Sequence, residues 1–226
     1  MGLNTTNQAP QHMINIHSFE ISRTEITTAM YRLCVEDGGC SEPNTGNFMN
    51  WSAPQGSKAN HPINGVSWYQ AVAFARWVGG RVINEAEWEY VARGGHREVM
   101  YPWGNTAANC YYYTGHYYNS CTDEGTSPVC STPAGNSLDG ICDMTGGQNE
   151  WILDEYHSGY TNAPNDGSAW CSVPNCTDNT SDVDRVIRTA RAPGTLNLRV
   201  TSRSALAPND RPAYMGIRVV RTPLTE

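Results

Sequence analysis

The spacing of apolar residues predicts short helices early in the chain and little regular structure afterwards. Thr27 opens the segment TTAMYRLCVE, where Met30, Leu33 and Cys34 recur at i, i+3 and i+4 and would share one helical face. Gly38-Gly39 ends that helix. Ser67 is placed to cap a second helix, WYQAVAFARWV, which stops at Gly79-Gly80. A third follows at once. Asn84 with Glu87 three residues on is a capping-box pattern, and EAEWEYVAR runs to Gly94-Gly95. Met13 to Phe19 alternates weakly and reads as an edge strand, and Leu198–Arg203 and Gly216–Arg221 read as strands near the end. Between Tyr101 and Asp182 the chain is rich in Gly, Asn, Tyr and Cys and predicts loops and short strands. Residues 1–13 are expected to be a disordered or cloning-derived tail, and residues 14–226 one domain.

Composition sharpens this picture. The chain has 226 residues, enough for a substantial core, with 21 glycines and 13 prolines but only 16% charged residues. Its 7 tryptophans and 12 tyrosines outweigh 3 phenylalanines, so its large rings carry polar handles. The net charge is −7 and Lys58 is the only lysine, which leaves no basic stripe for nucleic acid. No apolar run is long enough to span a membrane.

Eight cysteines fall in four sequential couples, Cys34/Cys40, Cys110/Cys121, Cys130/Cys142 and Cys171/Cys176. Spacing alone does not fix their pairing. Sequential pairing is the expectation, because it pins four surface loops at roughly 2–3 kcal/mol each. Zinc is the competing reading, but only Cys171/Cys176 approaches a metal-ligand spacing and no second such pair exists. Disulfides imply an extracytoplasmic location: secreted, periplasmic or cell surface.

Several phrases carry a resemblance: HPINGVSWYQAVAFARWVGGR (61–81), EAEWEYVARGG (85–95), YPWGN (101–105), GICDMTGGQNEW (140–151), RVIR (185–188), LRVTSR (198–203) and GIRVVR (216–221). Together, over about residues 14–222, the chain resembles the formylglycine-generating enzyme, or sulfatase-modifying factor, family. The resemblance implies an α+β, C-type lectin-like fold of the formylglycine-generating-enzyme type, with few short helices and much irregular loop and short β structure. Enzymes of that family carry a copper-binding cysteine pair after their RVxRGGS segment. Here that segment reads RVIRTARAPGTLNLRVTSR and the last cysteine is Cys176, ahead of it. Soft Cu(I) needs thiolate, so copper-dependent formylglycine-generating activity is not expected. A second branch of the family makes sulfoxides with histidine-held iron on an additional helical domain. The six histidines here show no such arrangement.

Three segments depart from the family pattern while their flanks hold: Val82-Ile83-Asn84, Gly147-Gln148-Asn149 and Thr189-Ala190-Arg191-Ala192. Two family tryptophans are lost, at Asn149 and Ala192. The bland reading is drift with repacking. The sharper one is that the segments meet as a re-carved pocket or binding face, with Asn84, Gln148, Asn149, Thr189, Arg191 and Arg203 as candidate contacts.

The loop from Asp143 to Glu150 offers carboxylates and carbonyls of the kind calcium takes. The resemblance implies a structural calcium there, with Asp143 and Glu150 giving side chains and Gly146 and Gln148 carbonyls. The alternative is that Glu150 pairs with an arginine. A second family site would use Asn109, the carbonyl of Cys110 and an acid near Asp123.

Three functions follow from different classes. The first is a non-catalytic, calcium- and disulfide-stabilised recognition module for a protein or glycan, a monomer whose tyrosines 111–113 and 117–118 look exposed. The second is an oxidoreductase-type enzyme of the family with a re-carved site, in which Arg81, Arg188, Arg199 and Arg203 clamp an anionic substrate; structural salt bridges are the plainer role for those arginines. The third is a retroelement-diversified display protein, with residues 189–217 as its variable surface.

Overall fold

The computed structural model describes residues 1–2, 6–114, 121, 125–178, 182–188 and 198–223. Helix α1 (Thr28–Glu36) begins where Thr27, in extended backbone, accepts the Met30 N–H on its side chain. Its inner face differs from the expected one. Thr28, Tyr31 and Cys34 are buried, while Met30 and Leu33 are 45% and 57% exposed. Tyr31 wins the core position because its ring stacks on Phe74 at 5.6 Å and meets Trp51 edge-on.

Helix α2 (Trp68–Trp77) and helix α3 (Glu85–Arg93) start as their sequences predict. Ser67 and Gln70 form one capping box, and Asn84 and Glu87 the other. Gly94 ends α3 in the left-handed region at φ 63°.

Two small sheets complete the α+β arrangement. Strands β1 (Glu20–Ile21), β7 (Val219–Arg221) and β2 (Arg81–Val82) lie in that order, all antiparallel. The second sheet runs β5 (Arg203–Leu206), β4 (Arg185–Arg188), β3 (Asn149–Glu155), β6 (Met215–Gly216), with only the β3–β6 pair parallel. Strand β3 is the longest and every residue in it is buried. Its alternation sends Trp151 and Leu153 into the core shared with α1 and α2. Ile152 goes into a second core with Trp88 and Val91 of α3.

The expected strands need correcting. Met13–Phe19 forms none; Asn15 N–H instead donates to the carbonyl of Asn165. Leu198–Thr201 is turn-like and the strand begins only at Arg203. Gly216–Arg221 is broken between β6 and β7, where Arg218 turns its guanidinium inward to Glu150.

The N-terminal segment, read from sequence as a tail, is held on the domain. Gly2 N–H donates to Glu89 Oε1 at 2.8 Å, and the carbonyl of Asn7 accepts from Arg203 Nη1 at 3.0 Å. The four cysteine couples are disulfides in sequential order, Cys34–Cys40, Cys110–Cys121, Cys130–Cys142 and Cys171–Cys176, and no cysteine is free. Four disulfides point to an oxidising environment. No helix among the described residues is long and apolar enough to cross a membrane.

Candidate functional site

The three unusual segments occupy different structural roles. Val82 and Ile83 are core residues, and the Ile83 carbonyl accepts the Leu153 N–H at 3.0 Å. Asn84 is the N-cap of α3: its Oδ1 accepts Glu87 N–H at 2.9 Å and its Nδ2 donates to the Gly167 carbonyl at 2.9 Å. This segment therefore packs and caps; it does not line an open face.

The second segment sits where β3 starts. Gly147 has φ 66°, and a Cβ there would come within 2.8 Å of Glu25 Oε1. Glycine at this position lets the backbone pass close to a buried carboxylate. Gln148 N–H donates to that same Oε1 at 2.7 Å, and with the side-chain amide turned so that both its atoms are satisfied, its nitrogen meets the Ala213 and Tyr214 carbonyls at 3.0 and 3.2 Å. Asn149 is buried, donates its N–H to Tyr214 and pairs with Met215. Next along the strand, Glu150 lies opposite Arg188, the last residue of β4. Thr189 and Arg191 themselves fall outside the described residues.

Glu150 is not disposed as the expected calcium ligand. Its Oε2 accepts Trp88 Nε1 at 2.7 Å, and its Oε1 lies 2.9 Å from Arg218 Nε and 2.8 Å from Nη2. This is the arginine pairing, and Arg218 supplies the positive charge in the place of an ion. Asp143 has φ 58° and spends Oδ2 on Cys130 N–H. Among the described residues no three acidic, histidine or cysteine side chains converge as a metal cluster. Of the expected set, both Glu150 oxygens are hydrogen-bonded to Trp88 and Arg218, and Asp143 Oδ2 is hydrogen-bonded to Cys130 N–H. At the second expected set, Asn109 Oδ1 accepts Tyr111 N–H, Cys110 is bonded to Cys121, and Asp123 lies outside the described residues.

Sequence reading missed Glu25. It is fully buried beside Asp143, Glu150 and Arg218. Burial, then repulsion from Asp143 and Glu150, raises its carboxyl well above the ordinary carboxylate range. Burial also raises Asp143. A lone glutamate before Ile26 in a polar stretch gives no sequence signal of this kind.

The candidate substrate-clamping arginines are committed within the fold. Arg203 reaches Glu85 Oε1 and Oε2 at 2.7 and 2.9 Å, donates to the carbonyls of Asn7 and His157, and lies over the rings of Tyr156 and Tyr160. Arg188 is fully buried between Glu85 and Glu89, and Arg81 pairs with Glu87. Burial pushes the Glu89 carboxyl up, but Arg188 and Arg93 outweigh it and hold it below its ordinary value. Arg199 is half-buried, with a buried Nε that has no hydrogen-bond partner among the described residues.

Two open features remain. A cleft of about 1010 Å³ lies between residues 11–21 and α3 with the loop after it, lined by His12, Phe19 and Tyr90 among others. It includes none of the candidate site residues read from sequence. The other is an aromatic ladder on the loops at 101–113. Trp103 is sandwiched between Tyr101 and Tyr112, each 4.9 Å away and within 9° of parallel. Tyr111 meets Tyr112 edge-on at 5.1 Å and is 71% exposed. Of the tyrosines expected at the surface, Tyr113 is instead buried against Leu198, and 117–118 lie outside the described residues.

Comparison with known proteins agrees with this geometry. The model of the sulfatase-modifying factor enzyme 1-like domain matches residues 1–223. A formylglycine-generating enzyme from Thermomonospora curvata is 39% identical over 119 residues, which are 46% of this chain and 39% of the enzyme. The match thus spans less than half of that relative. Among solved structures, PvdO from Pseudomonas aeruginosa superposes with a TM-score of 0.76 at 26% identity, covering 96% of this chain and 85% of PvdO. Treponema denticola variable protein 1 superposes with a TM-score of 0.71 at 17% identity, covering 98% and 93%. The fold is the C-type lectin-like fold of the formylglycine-generating-enzyme type.

Proposed function

This chain belongs to the sulfatase-modifying factor enzyme 1-like domain family, and from that premise we propose that it is a non-catalytic recognition domain that works outside the cytoplasm. The observation that carries this reading is the state of its cysteines. All eight are closed into disulfides. The copper chemistry of the enzymatic relatives needs thiolates, and a disulfide sulfur does not supply one. The substrate-clamp alternative is weakened in parallel, because Arg81, Arg188 and Arg203 already neutralise Glu87, Glu85 and Glu89. An arginine held between buried carboxylates has little charge left to offer a ligand.

What remains for function is surface: disulfide-pinned loops on a rigid lectin-like frame. Loops set on a rigid scaffold are the usual carriers of recognition. The test begins with a thiol titration of the denatured, unreduced protein, which should find no free thiol. The protein is then incubated with Cu(I), oxygen and a cysteine peptide. No aldehyde should form above the peptide-plus-copper background. Turnover of the peptide to the aldehyde overturns the proposal and restores the enzymatic reading.

A further inference from the structure

Resting on that recognition reading, we infer that the aromatic ladder at residues 99–114 is a binding site for neutral carbohydrate. Its geometry is that of a prepared platform. Tyr101 is buried at the base, Trp103 and Tyr112 are half-buried above it, and Tyr111 stands 71% exposed at the end. Three rings stacked nearly parallel at 4.9 Å spacing cannot rotate independently. The backbone below them is fixed as well. Tyr101 and Gly104 exchange both N–H···O bonds, and Trp103 Nε1 donates to the Thr106 carbonyl at 3.0 Å. Asn105 Oδ1 accepts Met100 N–H at 2.8 Å, and the Cys110–Cys121 disulfide holds the far side. A site ordered before binding loses little side-chain entropy when a ligand arrives.

The chemistry of the rim selects the class of ligand. Residues 99–114 include no Asp, Glu, Lys, Arg or His. An acidic or basic partner would find no complementary charge on this segment. Anionic ligands would in addition meet a protein of net charge −7. The polar groups beside the rings are amides and hydroxyls. Asn105 and Asn109 are exposed and have spent only their Oδ1 atoms, on the N–H groups of Met100 and Tyr111. Among the described residues their Nδ2 amides carry no protein hydrogen bond, so each has donors to offer. Rings that present an apolar face beside uncharged amide donors match a pyranose, which has one face of C–H bonds and a rim of hydroxyls.

The experiment uses the whole chain against a panel of neutral oligosaccharides, β-glucan, mannan, galactan and N-acetylglucosamine oligomers, with intrinsic tryptophan fluorescence as the readout. At least one should bind and change the emission. Tyr111→Ala should weaken that binding about tenfold, the size of one aromatic stacking contact, with the melting temperature unchanged. Tyr111→Phe keeps the ring and should stay within about threefold of the parent. No binding across the panel, or binding that Tyr111→Ala leaves intact, overturns the carbohydrate assignment. A protein ligand found while the whole panel fails to bind would leave the recognition reading in place without the carbohydrate assignment. Aldehyde formation on a cysteine peptide would remove the recognition reading itself.

Discussion

The β3–β4–α3 region and the loop region at residues 99–114 solve the problem of rigidity in opposite ways. Around β3 and α3 the chain turns charge inward: Glu85, Glu89 and Glu150 are buried against Arg188, Arg203 and Arg218. In the loops no residue is charged, and order comes from stacked rings, a disulfide and side-chain bonds to backbone. Buried ion pairs leave nothing for a ligand, since both partners are spent. The stacked rings leave Tyr111, edge-on to Tyr112, outside. On the proposed reading the first region is frame and the second is the part that binds.

The sharpest way to break the frame is to remove one of its charges. Arg188→Ala leaves Glu85 and Glu89 buried with too little positive charge, which costs about 3–5 kcal/mol for a pair broken on one side. Urea denaturation should show the midpoint collapsing or the protein failing to fold. A loss under 1 kcal/mol would mean that the network is solvated and that these arginines are free for ligands after all. In the loop region the corresponding lesion is smaller. Replacing Cys110 and Cys121 together by serine opens one short loop and should cost roughly 2–3 kcal/mol in the chain-entropy account. If the aromatic ladder alone orders that loop, the double variant would instead melt where the parent does.

Acid–base behaviour separates the regions again. The Glu25 carboxyl is raised by burial and by Asp143 and Glu150. A group raised on folding binds its proton more tightly in the folded state. Stability therefore falls as pH rises from the ordinary carboxylate range towards the folded value. Glu25→Gln keeps a carbonyl oxygen for Gln148 N–H and removes the charge. It should be more stable than the parent at pH 8 and indistinguishable from it at pH 4. Glu89 runs the other way. Burial raises it, the arginines lower it further, and the net depression means that its stabilisation is present at neutral pH and lost on acidification. Equal denaturation midpoints for the parent and Glu25→Gln at both pH values would contradict this account of the acidic cluster.

The parts of this arrangement that could be read from sequence are those set by local chemistry. Ser67 with Gln70 and Asn84 with Glu87 cap their helices wherever the rest of the chain lies, so the starts of α2 and α3 were legible. Disulfide order was legible because each couple brackets a short turn-rich loop. Strand β3 was not. NEWILDE has four polar residues in seven and no two-residue alternation of hydrophobic and polar positions, because its acids are buried against arginines and backbone amides that arrive from elsewhere in the fold. Of the site residues read from sequence, Gln148 and Asn149 sit where β3 starts, next to the register partner of Arg188, whereas Asn84 caps α3 and Arg203 pairs with Glu85. The ladder around Trp103 was visible only as a run of tyrosines, since nothing local says which of Tyr111, Tyr112 and Tyr113 faces out.

Helix α1 poses the same question on the smallest scale. Its apolar spacing favours a face of Met30, Leu33 and Cys34, yet the buried residues are Thr28, Tyr31 and Cys34. Leu33 is 57% exposed on this helix, so Leu33→Ser removes little buried surface and should change stability by no more than about 0.5 kcal/mol. Tyr31→Ala, by contrast, empties a fully buried site between Phe74 and Trp51 and should cost about 3–5 kcal/mol. The pair is informative because the two residues are two positions apart on one helix, with the same caps. A large loss at Leu33 with a small one at Tyr31 would rotate α1 towards the face that its aliphatic spacing predicts.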